Sequence, residues 1–318
     1  MTRVSTYGTS QLLLSYTLQT QNRVVGSQEQ IASGYKSQNY KGLAKDAVAL
    51  EGAKSLRDRL QSYISTNRLV ENRVQTQEGA LRALGDIAEE LRQTVTTAVA
   101  NNSGTALTGK VRDLYDRAVD VLNRQVDGRY IFSGSRTGTP PVSVTSVTAL
   151  LTTSPVTNAF ANDTNKLAAQ IDDALTVTYG VLASDVATTL FSEIQRILQF
   201  DAGTLPSGAA PYAPAGAYTN PLPTNQRDFL ANELSTLTSM SQAVQDKLAQ
   251  NGIVARTLDD VTTRHEQALI AAKAFIGDIQ DADAAEAISN LNRDQTALEA
   301  SYQVLSQLTR LNLLDFLR

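Results

Sequence analysis

The sequence predicts a mainly α fold: a long helical coiled-coil rod built from the N- and C-terminal segments, with a small β-rich inserted domain between them. Two observations carry this. Apolar residues recur at strict 4–3 spacing along two long stretches, one near each end of the chain. Between them, residues 137–225 lose that period, and Thr, Ser, Val and Pro dominate from Pro140 to Thr157. A 3.5-residue apolar period draws one stripe along a helix and makes it seek a partner helix.

The first seam runs Leu56, Leu60, Tyr63, Asn67, Val70, Val74, Gln77, Leu81, Leu84, Ala88, Leu91, Val95, Ala98 and Asn102. The second runs Leu230, Leu234, Leu237, Ser241, Val244, Leu248, Asn251, Ala255, Leu258, Thr262, His265, Leu269, Ala272, Ile276 and Ile279. An unbroken helix under the first seam would be roughly 70 Å long, at about 1.5 Å per residue. That exceeds what a compact domain needs.

Taken in order, residues 2–33 read as a helix with a thin stripe of Leu14, Leu18, Gln21, Val25, Gln28 and Ala32, weakened by its glutamines. Gly34, Tyr35 and a polar run to Gly42 break it. Helix resumes near Leu43 and runs to Asn101-Asn102-Ser103-Gly104, a stop signal. A third helix keeps Leu107, Val111, Leu114, Ala118 and Val121 in phase and ends near Gly128. In the insert, Val142-Ser143-Val144 and Leu175–Tyr179 alternate at period two and read as strands. Leu190, Ile194, Ile197 and Leu198 mark a short helix, and the five Pro and three Gly of 203–224 a surface loop. Thr224-Asn225 is a helix N-cap candidate. The second seam holds its phase across Asn251-Gly252, which predicts one continuous helix. The phase slips at Asp281–Asp283 and resumes with Ile288, Leu291, Leu298, Leu305 and Leu308, which marks a segment boundary. The predicted division is thus 1–42, an assembly helix and loop; 43–136, N-terminal rod helices; 137–225, the outer insert; 226–283, the C-terminal rod helix; and 284–318, a second assembly helix.

The last residues, Leu311-Asn312-Leu313-Leu314-Asp315-Phe316-Leu317-Arg318, are apolar on nearly every side. A helix apolar all round must be buried, and nothing else in the chain covers it. Leu14, Leu18, Val25, Leu305, Leu308, Leu311, Leu314, Phe316 and Leu317 are therefore read as a surface for neighbouring subunits. Leu56, Leu60, Val70, Val74, Leu81, Leu84 and Leu91 are read as pairing within the chain with Leu234, Leu237, Val244, Leu248, Leu258, Leu269 and Ile276. Charge favours that pairing: residues 1–136 hold 18 Lys and Arg against 13 Asp and Glu, a net +5, whereas 137–318 hold 10 against 19, a net −9. The interleaved charges do not form a nucleic-acid footprint, and no stretch approaches the ~20 apolar residues of a membrane span. No cleavable signal peptide is read. The absence of Cys excludes disulfides, and suits a chain that crosses an export channel unfolded.

Candidate chemistry is sparse. Gly104-Thr105-Ala106-Leu107-Thr108-Gly109-Lys110-Val111 approaches a phosphate-binding loop, but Val111 stands where a magnesium-holding Ser or Thr belongs, and a helix precedes Gly104. His265 is the single histidine and sits at a seam position, where a polar residue tunes helix pairing; alone it makes no zinc site. The acidic pairs Glu89-Glu90, Asp172-Asp173 and Asp259-Asp260 read as solvated faces. No catalytic, cofactor or metal site is expected. Asn67, Gln77, Ser241 and Asn251 either specify register or turn to solvent.

Three segments carry a family resemblance: Asp127-Gly128-Arg129-Tyr130-Ile131-Phe132-Ser133-Gly134-Ser135, with Gly128, Arg129, Tyr130, Phe132 and Gly134 its core; Asp278 to Ile288; and Leu313-Leu314-Asp315-Phe316-Leu317. With Arg3-Val4-Ser5-Thr6, they resemble the flagellin superfamily, and within it the hook-associated proteins of the hook–filament junction. The motif at 128–135, the ending and the lack of an Ile-Asn-Thr-Asn-like opening favour that branch over flagellin, the bulk filament subunit, which remains the alternative. After Ile31-Ala32-Ser33-Gly34, the family's Pro-Ser-Asp-Asp-Pro-like loop is replaced by Asn39-Tyr40-Lys41-Gly42-Leu43-Ala44-Lys45-Asp46. The resemblance implies a structural protein of the extracellular bacterial flagellum, exported by the flagellar type III apparatus and held unfolded by a cytoplasmic chaperone. Its partners would be copies of itself in a ring, the first hook-associated protein and flagellin.

Overall fold

The computed structural model describes residues 2–37, 39, 42, 45–205, 212 and 214–316, of which 2–7, 9, 10 and 308–316 are described by their backbone alone. The fold is mainly α. In chain order it runs α1 (Thr2–Ser33), α2 (Ala47–Ala100), α3 (Leu107–Leu122), β1 (Gln125–Val126), β2 (Arg129–Tyr130), α4 (Val147–Thr152), a short 3₁₀ turn (Val156–Ala159), β3 (Leu167–Asp172), β4 (Leu175–Tyr179), α5 (Ala183–Asp201), α6 (Thr224–Gln280) and α7 (Ala284–Phe316). The chain divides into two compact units: a terminal unit of residues 1–61 and 267–318, and a central unit of 62–266. These units divide inside α2 and α6.

In the central unit, the core lies where α2, α3, α5 and α6 meet. Leu81, Leu84 and Leu91 of α2 pack in one cluster with Leu114, Phe191, Leu230, Leu237 and Val244, and Leu234 and Leu248 pack half-buried against it. A second cluster joins Val70 and Val74 to Leu258, Val261 and Ile171. The 4–3 seams are therefore buried here as facing stripes. Helix α6 passes through Asn251-Gly252 without a break. Aromatic rings fill the α5 side: Phe200 stacks on Phe229 at 4.3 Å, and Phe191 lies between Tyr115 and Phe160.

Several expected elements differ. Helix α3 stops at Leu122, and Asn123 then clamps the next segment by accepting from Val142 N–H (3.0 Å) and donating to its carbonyl (3.1 Å). That side chain takes a strand partner's role, so the expected strand at 142–144 is reduced to one bridge, Val142 with Phe160. Leu175–Tyr179 is a strand, antiparallel to Leu167–Asp172, with a bulge between Gln170 and Asp172. Helix α6 starts at Thr224 itself, and Asn225 donates to the Pro214 carbonyl (2.8 Å) instead of capping. The insert also carries the 19 residues of α5, outweighing its 11 strand residues in β3 and β4.

In the terminal unit, α1 packs closely on α7. The buried face of α1 is Thr17, Thr20, Val24 and Ser27, not the Leu14–Leu18–Val25 stripe. Small side chains let helices approach, and each threonine hydroxyl is already satisfied four residues back: Thr17 on Leu13 O and Thr20 on Tyr16 O, both at 2.9 Å. On α7, Ala287 and Asp294 are buried and Leu291, Leu298 and Leu305 half-buried at 4–3 spacing, while Ile288 is turned out. Arg23 reaches Asp294 at 3.4 Å. The predicted boundary at 281–283 is a helix break. Asp283 Oδ1 caps α7 by accepting from Ala285 and Glu286 N–H, and Gly34 ends α1 with φ 74°. The two breaks are tied together: Lys36 N–H donates to Gln280 O and Ala282 N–H to Gly34 O, both at 2.8 Å. Helix resumption near Leu43 lies outside the described residues, and α2 begins at Ala47.

Burial predicts a sharp contrast between two leucines. Leu84→Ala, at a fully buried site, should lower stability by about 2–5 kcal/mol. Leu18→Ala, at a site 52% exposed, should change it by less than about 0.5 kcal/mol. Urea denaturation of the purified variants measures both.

Candidate functional site

The polar residues of the two seams form the first functional grouping, within the central unit. Asn67, Gln77, Asn251 and His265 are buried, and Ser241 is half-buried. The bulge in β3 leaves Ile171 outside the strand ladder, because a bulge opposes two residues to one. Its side chain is fully buried, and its carbonyl accepts from His265 Nε2 at 2.9 Å and from Asn67 Nδ2 at 3.5 Å. A carbonyl only accepts, so Nε2 of His265 carries the proton. The His265 ring stacks on Tyr63, whose hydroxyl donates to Asp173 at the hairpin turn (3.0 Å). Asn251 Nδ2 donates to Val74 O at 2.9 Å, pinning α6 to α2. Gln77 Nε2 donates to Ile131 O at 2.6 Å. Thus Asn67, Gln77 and His265 hold the insert's backbone, and Asn251 holds the helix pair.

The motif at 128–135 is the segment that Gln77 holds. Asp127 (φ 51°) and Gly128 (φ 72°) make the tight turn between β1 and β2, as Asp-Gly does in a two-residue hairpin loop. Arg129 and Tyr130 line a shallow recess with Arg73 and Gln77. Phe132 is fully buried in the core, and its carbonyl accepts from Ala183 N–H at the start of α5 (3.0 Å). Gly134 has φ 67°, and a side chain there would meet the Asp163 carboxylate, Asn165 O at 2.8 Å and Leu182 at 3.0 Å. Asp163 binds Ser135 through its N–H and hydroxyl, and Asn165 through its N–H. The Ser135 hydroxyl above all holds the Asp163 carboxyl below the usual carboxylate range, against a small opposing effect of burial. The motif therefore joins α2, the hairpin and α5.

The second grouping is the surface of the terminal unit. Leu14, Leu18 and Val25 are exposed, together with Leu12, Tyr16 and Ile31 on α1 and Ile288, Tyr302 and Val304 on α7. Two expectations change. Leu56 is 38% exposed, whereas Leu60, Ala272 and Ile276 are buried. Leu305 is half-buried on the same α7 stripe as Leu291 and Leu298, so it is not a free assembly residue. Helix α7 continues to Phe316, but Leu308, Leu311, Leu314, Phe316 and Leu317 lie outside the residues with described side chains.

The phosphate-loop near-match resolves into packing. Lys110 lies in the first turn of α3, and no strand precedes Gly104 among the described residues. Gly104 N–H donates to Thr219 O at 3.0 Å. A side chain there would meet Tyr218 at 2.5 Å and Leu222 at 3.0 Å, so the glycine lets the insert's returning loop approach. Among the described residues, no cluster of three His, Asp or Glu is arranged to hold a metal, and no helix is long and apolar enough to cross a membrane.

Sequence reasoning found the motif but not its anchors: Asp163 belongs to no local pattern, and the seam position of Gln77 does not show which carbonyl it meets. Gly134→Ala should lower the thermal midpoint by several degrees, as a positive-φ site filled against fixed backbone loses both conformation and space. Gly138→Ala, with nothing within 4 Å, is the control, and calorimetry reads both.

Comparison with known proteins gives concordant matches at both ends. The family described as bacterial flagellin N-terminal helical region matches residues 4–137, and the bacterial flagellin C-terminal helical region matches 234–317. Among curated proteins, no relative matches the sequence. Among solved structures, one described as a flagellar hook-associated protein from Vibrio parahaemolyticus is similar with a TM-score of 0.56 at 13% identity, over 74% of this chain and 97% of that one. The structure of Bacillus cereus FlgL is similar with a TM-score of 0.50 at 14% identity, over 72% and 99%. At such identities the likeness is one of fold. With both helical regions matched and this fold shared, the chain belongs to the flagellin superfamily and has an FlgL-like fold.

Proposed function

We propose that this protein is a structural adaptor of the bacterial flagellum, joining a hook-associated ring to the flagellin filament. The observation that carries the reading is the terminal unit's surface: large apolar side chains of α1 and α7 stand exposed, while the buried residues are Thr17, Thr20, Val24 and Ser27 of α1 and Ala287 and Asp294 of α7, with Leu291, Leu298 and Leu305 half-buried. A soluble monomer gains nothing from that arrangement, and contiguous exposed apolar surface marks an interaction site. Leu14, Leu18 and Val25, with Leu308, Leu311, Leu314, Phe316 and Leu317 of the terminal segment, are the proposed contacts with neighbouring subunits. The seam residues from Leu60 to Leu91 and from Leu234 to Ile276 serve folding. The partners in this reading are copies of the chain in a ring, the first hook-associated protein on one side and flagellin on the other, with a cytoplasmic chaperone before export. The hook-associated and FlgL structures sharing this fold favour the junction over the bulk filament.

Immunogold labelling of intact flagella tests the reading. A single band at the distal end of the hook is expected; label along the filament would make the chain the bulk subunit, and unlabelled flagella would overturn the flagellar role. Removing residues 309–318 should leave the helical circular-dichroism signal within about 10% of the full chain, since the central core is untouched, and abolish incorporation into flagella. Normal motility after that truncation would refute the assembly role of the segment.

A further inference from the structure

The central unit buries two carboxyls side by side with one cation. Glu193 of α5 and Glu233 of α6 are 4% and 2% exposed. Arg196, one turn after Glu193, binds Glu233 in a fork, with Nη2 to Oε1 at 2.7 Å and Nε to Oε2 at 3.3 Å. The guanidinium is thereby committed to Glu233. Glu193 is left with one oxygen, Oε2, that has no hydrogen-bond partner. Both carboxyls are buried while the Arg196 side chain is 36% exposed, and two ionised carboxylates against that one guanidinium would leave a net charge where burial favours keeping a proton instead.

We propose that the Glu193–Glu233 pair, with Arg196 bound to Glu233, is a proton-dependent latch that holds α5, and the α4 segment fastened to it, against α6. Helix α5 in turn holds α4. Gln195 Nε2 donates to Leu150 O (2.5 Å) and Thr153 O (2.8 Å), and Gln199 to Leu151 O (2.9 Å), so α4 hangs on α5. Releasing α5 from α6 therefore releases more than one helix.

The charged groups acting on Glu193 are Glu233 from α6 and Arg196 from its own helix. Tyr212, from the returning loop, bears on Arg196. Tyr218, next to Asp201 and Glu233, is pushed up by burial and stays protonated throughout. Burial, then the hydrogen bond and charge of Glu233, push the Glu193 carboxyl up to about 8, with Arg196 opposing. An opened α5 returns Glu193 towards the ordinary value of 4.5. The closed state thus holds a proton that the open state gives up. Closure is fully favoured below 4.5, weakens as pH rises, and reaches its limit above about 8.

Hydrogen exchange on the intact chain tests this, with rates corrected for their intrinsic pH dependence. Between pH 5.5 and 7.5, protection of the α5 amides from Phe191 to Leu198 should fall about a hundredfold, tenfold per pH unit for one proton. Amides of α2 from Leu81 to Leu91 should change far less. In Glu193→Gln, α5 protection should not vary with pH. Flat α5 protection in the wild-type chain, an equal fall in α2, or the wild-type slope in the Gln variant would each overturn the latch. Should Glu193→Gln not fold, the wild-type comparison of α5 with α2 decides alone.

Discussion

A buried amide or imidazole must find a partner, and pairing α2 with α6 in the central unit buries four of them. Asn67, Gln77, Asn251 and His265 are each at most 6% exposed. Two helices facing each other offer almost no free backbone, because their own carbonyls are spent within each helix. Only Asn251 finds a carbonyl on the other helix, that of Val74. The other three look outward and are met by carbonyls that the insert presents: Ile131 after the β1–β2 turn, and Ile171 at the bulge of β3. The insert thus closes the helix pair as a third wall. The positive-φ turn at Asp127-Gly128, the glycine at 134 and the bulge all place backbone polar groups where the seam needs them.

The terminal unit obeys the opposite economy. Its buried residues are mostly small or polar: threonines whose hydroxyls bind their own helix, a serine, an alanine and an aspartate met by Arg23, with Val24 buried and Leu291, Leu298 and Leu305 half-buried beside them. Such a face permits close approach but removes little apolar area from water, and at ~25 cal/mol per Å² it stabilises weakly. The large side chains that would stabilise strongly are on the outside. Stability of this unit by itself and capacity for assembly are drawn from the same leucines, so placing them outward trades one for the other. The tie between the two helix breaks, through Gly34, Lys36, Gln280 and Ala282, gives the unit a fixed corner despite its thin contact.

The chemistry-like features of the sequence have structural explanations. His265 and Gln77 are ligands of backbone carbonyls, and Gly104 is a point of close approach for the loop at Tyr218 and Leu222. A glycine and a lysine at phosphate-loop spacing, without a strand before them, form only a helix–helix turn. Glu193, a carboxyl pushed up by burial, lies beyond every motif. It follows no period and neighbours Glu233 only because α5 folds back across α6.

What the sequence by itself determined is the set of helices and their breaks. The seams locate α2 and α6, their unbroken phase carries α6 through Asn251-Gly252, and the slip at 281–283 is the cap of α7. Periodicity decides which residues share a face, since that depends only on neighbours three and four apart. Tertiary structure alone decided what covers each face. Leu56 and Leu60 belong to one stripe, yet only Leu60 is buried. In α1 the threonines were chosen over the leucines, because α7 brings its own stripe of Ala287, Leu291 and Asp294. The strand Leu175–Tyr179 was visible, but its partner and the bulge were not. What covers the helix faces rests on contacts between residues about a hundred or more positions apart, such as Asn67 with Ile171 and Arg23 with Asp294, and no local pattern encodes them.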